Sequence, residues 1–233
     1  MQRAQPTTVE RRRSRRTPAP AGLSPELIAT TALELSDRAG EAGISMRRVA
    51  EELGVTPMAL YAHFRDKDEL LDAVIDLAAS ELTLPSERGP WKRQLRLLMD
   101  EIRRGVERHP GALRTRLARP LMTPGALRTS ERGMRILKGA GFRTRDAASA
   151  WRALFSYTLG FATYSSEGAA DDARRHARGA LASLPEAEFP ALTSAVEEST
   201  DAMGGDAQFE FGLRALIDGL ERRALRAPPS RKG

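Results

Sequence analysis

The sequence predicts an all-α fold, with a small helical domain at the N-terminus followed by a larger helical domain. Apolar residues recur at spacings of three and four through most of the chain between residues 24 and 224. No segment shows the alternation of apolar and polar residues that is typical of a strand. Glycine and proline lie at the ends of most helical patterns, where they favour the start or the end of a helix. The chain has 233 residues, 41% of them hydrophobic, and is long enough to bury a sizeable core.

The first predicted helix begins at Ser24-Pro25 and ends near Gly40. Serine can cap the first free amides, and proline suits the first helical position because its missing N–H had no partner there. A second, short helix begins at Ser45 and ends at Gly54, since glycine permits the positive φ of a helix end.

A third helix is expected from Thr56 to about Phe64, one residue after the turn at Val55. A fourth begins at Asp66, whose spacing from Glu69 is that of a capping box. Two short helices joined by a tight turn and preceded by a longer helix are typical of a helix-turn-helix.

Residues 84–90 contain two prolines and a glycine, and we predict a domain boundary there. The predicted organisation is a disordered basic arm at 1–22, a helix-turn-helix domain at 23–83 and a C-terminal domain at 90–225. Further helices are expected from Trp91 to His109-Pro110, around Leu113 and Leu117, from Leu127 to Gly139, and near 145–165, 186–198 and 206–224. Residues 166–184 have almost no large apolar group and form either a mobile connection or an exposed helix.

Composition excludes several kinds of chemistry. The chain has no cysteine, which removes disulfides, thiolate nucleophiles and cysteine zinc sites and fits a cytosolic protein. Its three histidines, His63, His109 and His176, are not spaced as a helical metal pair, so we expect no metal and no cofactor. No apolar stretch reaches the roughly 18 residues of a membrane span, and the N-terminus lacks the apolar block of a secretory signal. We therefore expect a cytoplasmic protein with no membrane partner.

The net charge of +6 is unevenly distributed. Residues 1–20 carry six arginines and one glutamate, whereas residues 21–80 carry five basic and eleven acidic residues. The arginine-rich arm is either a solvated tail or a segment that lies along phosphates or in a minor groove. Most acids of residues 21–80 belong to the first and fourth helices and can face away from a duplex, but Glu51 and Glu52 are closer to it.

A helix-turn-helix places its second helix in the major groove of DNA. The outward residues of that helix include Pro57 and Met58, whose apolar side chains suit thymine methyl groups. Arg47, early in the preceding helix, is the strongest candidate for a hydrogen bond to a base edge. The aromatic side chains of Tyr61 and Phe64 are expected either to contact DNA or to pack in the core of the domain.

Residues 24–80 resemble the DNA-binding domain of the TetR (tetracycline-repressor) family of transcriptional regulators. The segments that carry the resemblance are VAEELGV at 49–55, LYAHF at 60–64 and KDELL at 67–71. By position, the resemblance implies one set of residues that faces bases and another that holds phosphates. The first set is Arg47, Thr56, Pro57 and Met58, and the second is Tyr61, His63 and Lys67.

Residues 90–224 resemble the effector-binding and dimerisation domain of the tetracycline-repressor branch, on the strength of Trp91, His109-Pro110-Gly111 and the segment 151–161. The resemblance implies a pocket for a small-molecule effector. Its expected residues, which have plain core packing as the alternative interpretation, are Met99, Arg103, Leu117, Met134, Leu137, Trp151 and Phe155. The family's metal-chelating drug site needs a histidine that residues 113–119 lack, so tetracycline–magnesium is not the expected effector.

Two helices with broad apolar faces, near 145–165 and 206–224, form the expected dimer seam, since a pair from each subunit makes a four-helix bundle. Its expected residues are Leu154, Thr158, Leu159, Gly160, Leu213, Leu216, Ile217 and Leu220. The alternative is that these faces only fill the core of one subunit.

These observations favour a homodimeric repressor that binds a palindromic operator and is released by a small ligand. Two other hypotheses are an all-helical enzyme and an architectural protein that binds DNA through its basic arm. The sequence has no glycine-rich phosphate loop and no metal cluster, which weakens the enzyme hypothesis.

Overall fold

The computed structural model of the protein describes residues 22–40, 44–114, 121–164 and 169–226. Every regular element in those ranges is a helix, which confirms the predicted fold class. The helices are α1 (Pro25–Ala39), α2 (Met46–Glu52), α3 (Pro57–Leu60), α4 (Lys67–Ser80), α5 (Trp91–Arg108), α6 (Pro110–Arg114), α7 (Pro124–Gly139), α8 (Thr144–Tyr164), α9 (Ala169–Ala182), α10 (Pro190–Thr193), α11 (Val196–Asp201) and α12 (Asp206–Arg226). None of these helices is both long enough and apolar enough to cross a membrane.

Two predicted segments fall outside this description. The basic arm at 1–22, except for Gly22, and the C-terminal tail from residue 228 lie outside the described residues.

Local side chains cap the N-terminal helices as the sequence predicts. The Ser24 hydroxyl accepts a hydrogen bond from the Leu27 amide at 3.2 Å, and the Ser45 hydroxyl accepts one from the Arg48 amide at 3.2 Å. The Asp66 carboxylate accepts from the Glu69 amide at 2.9 Å. These bonds satisfy amides that have no partner inside the helix, and they fix where α1, α2 and α4 begin.

The third helix is shorter than predicted. It ends at Leu60 after four residues, and the chain then continues in turns as far as Phe64. The amides of His63 and Phe64 both donate to the Leu60 carbonyl at 2.9 Å. The turns let Leu60 and Phe64 enter the same core, where they are 0% and 5% exposed. This burial fixes the orientation of α3 on the domain.

The N-terminal core includes one residue from beyond the predicted domain boundary. Its buried members come from α1, Ile44 just before α2, α2, the segment Leu60 to Phe64 and α4, together with Ala112 of α6, which is fully buried. A second core holds residues from α5, α7, α8 and α12. The helix α6 therefore follows the C-terminal helix α5 in the chain but packs in the N-terminal domain.

Glycines allow α6 and α7 to approach the helices α1 and α4 of the N-terminal domain closely. An added Cβ at Gly111 of α6 would lie 2.1 Å from the Ser36 carbonyl oxygen of α1. At Gly125 of α7 it would lie 2.9 Å from the Ala79 side chain of α4. The Gly125 amide also donates to the carboxylate of Asp76.

The helices between residues 169 and 201 differ in part from those that the sequence predicts. Residues 169–182 form an exposed helix that packs on α10 and α11, which decides between the two predicted alternatives for the described part of 166–184. The single helix predicted over 186–198 is wrong, because the chain forms α10 and α11 instead. Pro190 begins α10 since proline disfavours a helical residue before it, and Ala195, with φ −133°, separates the two helices.

We expect Gly111→Ala to lower the free energy of unfolding by about 1–3 kcal/mol, because its methyl group meets a backbone oxygen that cannot rotate away. Urea denaturation of the full chain measures this change. Gly139→Ala is the matched control: its Cβ meets nothing within 4 Å, and alanine favours a helix by up to about 1 kcal/mol. Equal stability of the two variants would contradict the close packing of α6 on α1.

Candidate nucleic-acid interface and ligand cavity

The exposed residues at the start of α3 are its N-cap Thr56 and the first two helical residues, Pro57 and Met58, and we call these three the reading face. All three side chains are exposed, and Met58 is 74% exposed although it is a large apolar residue. An exposed apolar side chain on a helix held rigidly from behind is suited to contact with base edges. The reading face therefore agrees with the prediction for these three residues, whose role remains a prediction.

Arg47 lies on the exposed surface of α2, one helix before the reading face. Its Nε donates to the Glu51 carboxylate at 2.8 Å, and its side chain is 83% exposed. Such an exposed pair contributes little free energy, so Arg47 can exchange Glu51 for another acceptor at small cost.

Acidic side chains near the reading face are paired with arginines. Glu51 accepts from Arg47, and Glu52 accepts from Arg38 of α1 at 2.7 Å. While these pairs are formed, they reduce the repulsion between the two glutamates and the phosphates of a bound duplex.

The predicted phosphate contacts differ in accessibility. Tyr61 is 47% exposed, and Lys67 is exposed at the first position of α4, where free amides also favour an anion. His63 is only half-exposed, and its Nε2 is buried without a hydrogen-bond partner among the described residues. The structure thus leaves Tyr61 and Lys67 more available to phosphates than His63.

An apolar cavity of about 50 Å³ lies between α4, α5, α7 and α8. Its wall is formed by Ile75, Ala78, Ala79, Leu82, Ile102, Gly105, Val106, His109, Leu121, Ala126, Thr129, Phe155 and Leu159. Only His109 and Thr129 in this wall have polar side chains. The cavity is far smaller than the roughly 300–1,000 Å³ of ordinary ligand pockets.

Of the residues predicted to bind an effector, Phe155 lines this cavity and the others described lie elsewhere. Met99 and Leu137 are fully buried in the second core, and Met134 packs against that core. Trp151 stacks on Phe155 with ring centroids 5.4 Å apart. Leu117 lies outside the described residues.

Arg103 has a structural role in this arrangement. It is 8% exposed, and its guanidinium bonds to Asp206 at 2.6 Å and lies 4.7 Å from the centre of the Phe209 ring. It therefore ties α5 to the start of α12.

Sequence reasoning missed most of the wall. Ile102 and Val106 continue the apolar stripe of α5 past Met99, and Ile75 and Ala78 continue that of α4. These continuations were visible as patterns, but the residues opposite them were not.

A second, wider cleft of about 410 Å³ lies between the α4–α5 connection, α5 and α7. Arg132 lines it with a side chain only 9% exposed, and its guanidinium bonds to the Glu87 carboxylate and the Pro85 carbonyl. The connection between the domains therefore neutralises this buried charge.

The residues predicted for a dimer seam divide into two groups. Leu154, Thr158, Leu213 and Ile217 are at most 2% exposed within one subunit, so they fill its core and are not available on its surface. Leu159 lines the apolar cavity. The remaining members, Gly160, Leu216 and Leu220, are half-exposed.

Two further observations define the outer surface of α8 and α12. Phe211 of α12 is 69% exposed, and a Cβ added at Gly160 of α8 would meet nothing within 4 Å. Gly212 of α12 allows close packing inside the subunit, because a Cβ there would lie 2.2 Å from the Tyr157 hydroxyl.

His109 follows α5 and forms two hydrogen bonds to carboxylates of the N-terminal domain. Its Nδ1 lies 2.8 Å from Asp37 Oδ2 of α1, and its Nε2 lies 2.9 Å from Glu81 Oε2 at the end of α4. Burial opposes the charged ring, but the bonds to Glu81 and Asp37 outweigh it and raise the pKa of His109.

Two family models match the chain. Residues 28–74 match the model described as bacterial regulatory proteins, tetR family. Residues 84–224 match the model described as tetracyclin repressor-like, C-terminal domain.

Individual proteins resemble the chain along most of its length. An HTH-type transcriptional regulator of Saccharopolyspora erythraea is 35% identical over 208 residues, which cover 87% of this chain and 86% of the relative. The class A tetracycline repressor protein from transposon 1721 in Escherichia coli is 32% identical over 87% of this chain and 93% of the relative. The crystal structure of the TetR family protein ActR from Streptomyces coelicolor in complex with actinorhodin has a TM-score of 0.76 at 32% identity, covering 89% of this chain and all (100%) of that chain.

Proposed function

The chain belongs to the TetR family of ligand-responsive DNA-binding regulators, and from that premise we propose a cytoplasmic, dimeric repressor that a largely apolar effector releases from its operator. The exposed reading face, held by the burial of Leu60 and Phe64, is the observation that supports DNA recognition most directly. Known relatives are transcriptional regulators, and we assign the chain no enzymatic activity.

Operator binding requires two reading faces at a fixed distance. In a dimer, each α3 enters a major groove, and successive grooves on one side of the duplex are about 34 Å apart. Arg47 and the reading face supply contacts to bases, while Tyr61 and Lys67 supply contacts to phosphates. We expect His63 to contribute less because its Nε2 is buried.

Release follows from the position of α4. This helix contributes Leu70, Leu71 and Val74 to the core behind the reading face, and Ile75 and Ala78 to the cavity wall. Since the cavity holds only about 50 Å³, an effector must enlarge it and displace its wall. An effector that prefers the enlarged state shifts the population towards a spacing of reading faces that no longer fits the operator.

The wall limits the chemistry of the effector. It presents aliphatic and aromatic groups with only His109 and Thr129 as polar side chains, which favours an apolar body with few hydrogen-bonding groups. One solved relative, the TetR family protein ActR from Streptomyces coelicolor, has been crystallised in complex with actinorhodin. Screening apolar compounds for release of the operator tests this preference.

Selection from a pool of random duplexes tests DNA recognition. We expect the full chain to enrich one palindromic sequence that it then protects in footprinting at physiological salt. Enrichment of no sequence by correctly folded protein would overturn the proposed function. Enrichment without a two-fold pattern would favour an architectural role instead.

We expect Arg47→Ala and Lys67→Ala to weaken operator binding in different ways. Loss of Arg47 relaxes base preference in each half-site, by about tenfold or more at the affected position. Loss of Lys67 weakens binding to all sequences. It also reduces the steepness of the plot of log affinity against log salt concentration by about one per subunit.

Fluorescence anisotropy on matched and mismatched duplexes at several salt concentrations separates the two effects. The exposed Lys138 of α7 supplies the control, and Lys138→Ala is expected to change neither quantity. An identical loss of base preference in the Arg47 and Lys67 variants would refute this division of roles.

We expect Phe211→Glu to convert the dimer into monomers, because a charge in an apolar interface has no partner there. Phe211 is 69% exposed in one subunit, so the substitution leaves the subunit core intact. Sedimentation velocity measures the change. Leu127→Glu, at a residue 48% exposed on α7, is the control that is expected to remain dimeric. A Phe211→Glu dimer would place the seam elsewhere.

A further inference from the structure

We propose that His109 senses occupancy of the apolar cavity, because it forms part of the wall and also holds α1 and α4 against the end of α5. The group Asp37–His109–Glu81 is called the clamp below. The inference rests on the proposed function for the identity of the cavity as the effector site. The clamp itself can be tested without an operator or an effector.

The clamp joins three helices that belong to both domains. Asp37 lies on α1, Glu81 caps the end of α4, and His109 follows the last residue of α5. A carboxylate oxygen only accepts hydrogen bonds, so both bonds of the clamp form together only when both ring nitrogens of His109 carry a proton, as in the imidazolium. Its side chain is 15% exposed, which shields these bonds from water in part.

His109 is also the residue at which the chain passes from one domain to the other. Immediately after it, α6 turns back to place Ala112 in the N-terminal core, and Gly111 brings α6 against the Ser36 carbonyl of α1. A displacement of His109 therefore acts on α1 through the clamp and also through the backbone of α6.

The wall reaches the N-terminal domain by two routes, through the α4 side chains Ile75, Ala78 and Ala79 and through His109. Both nitrogens of His109 are engaged in the clamp, so the ring offers its carbon atoms to the cavity. Among the wall residues, His109 alone is ionisable. An apolar ligand that enlarges the cavity pushes against this ring and strains the two bonds that hold it.

The electrostatic surroundings of His109 are simple. Glu81 and Asp37 are the charged groups that act on the ring, and the wall residues from α7 and α8 are uncharged. The nearby cations are occupied, since Arg108 bonds to Glu101 and Arg38 bonds to Glu52.

Loss of the proton should open the clamp. A neutral ring has only one N–H donor, so one carboxylate would face a lone pair. The pKa of His109 is raised in the folded protein above its unfolded value of about 6.5. The contribution of the clamp is therefore complete below about pH 6.5 and is lost as pH rises through the folded pKa.

NMR titration of the His109 ring in the full chain tests the clamp directly. We expect a pKa above 6.5 in the natural protein and a pKa of 6.5 or below in the Asp37→Asn/Glu81→Gln double variant, because burial still opposes the charged ring there. Identical titration curves for the two proteins would overturn the clamp. This result is independent of DNA binding, so it stands or falls separately from the proposed function.

Sensing is tested by filling the cavity from its wall. Ala126→Leu adds apolar volume to the cavity, and we expect the His109 pKa to fall as it does when the clamp is removed. Ala147→Leu makes the same chemical change in the second core, away from the wall, and should leave the His109 titration unchanged. Ala126→Val is a milder replacement if the leucine variant fails to fold. An unchanged pKa in a folded Ala126 variant would refute sensing.

Operator affinity supplies the functional measurement. On the selected operator, we expect affinity to fall about fivefold or more between pH 6 and pH 9 in the natural chain, within the usual range of coupling between sites. His109→Gln should bind more weakly at pH 6 and lose most of this pH dependence. His176→Gln, at an exposed residue of α9, is the control that should retain it. Full pH dependence in His109→Gln would show that the clamp does not govern DNA binding.

Discussion

The helix α4 contributes both to the core behind the reading face and to the wall of the apolar cavity, and this shared position links the two domains. Its first half supplies Leu70, Leu71 and Val74 to the core that holds the reading face, and its second half closes the apolar cavity. A helix is stiff along its axis, so the two halves cannot move independently. Asp76 and Glu81 extend this coupling, because they bond to the start of α7 and to His109.

Features that depend on a few adjacent residues could be predicted from the sequence. The caps at Ser24, Ser45 and Asp66 are of this kind, since each side chain bonds to an amide three residues later. The length of α3 is not, because its end is decided by the need to bury both Leu60 and Phe64 in a core built from other helices.

The functional surfaces were harder to predict, because an apolar stripe on a helix shows which face is buried. It does not show whether that face packs in the same subunit or against a second subunit. Leu154 and Leu213 were expected at a seam between subunits, yet both are fully buried inside one subunit. His109 gave no local signal, since Asp37 and Glu81 are 72 and 28 residues away in the chain. Only the packing of α1, α4 and α5 brings these three side chains together.

The brevity of α3 limits how much sequence information one subunit can extract from a genome. A helix of four residues that, with its N-cap, presents Thr56, Pro57 and Met58 can distinguish a half-site of only a few base pairs. So short a sequence occurs by chance very many times in a chromosome. Specificity for one operator must then come from a second half-site at a fixed distance and orientation. The spacing of the two half-sites is therefore part of the specificity. A mechanism that alters the distance between the two reading faces abolishes operator recognition while every base-contacting residue stays unchanged.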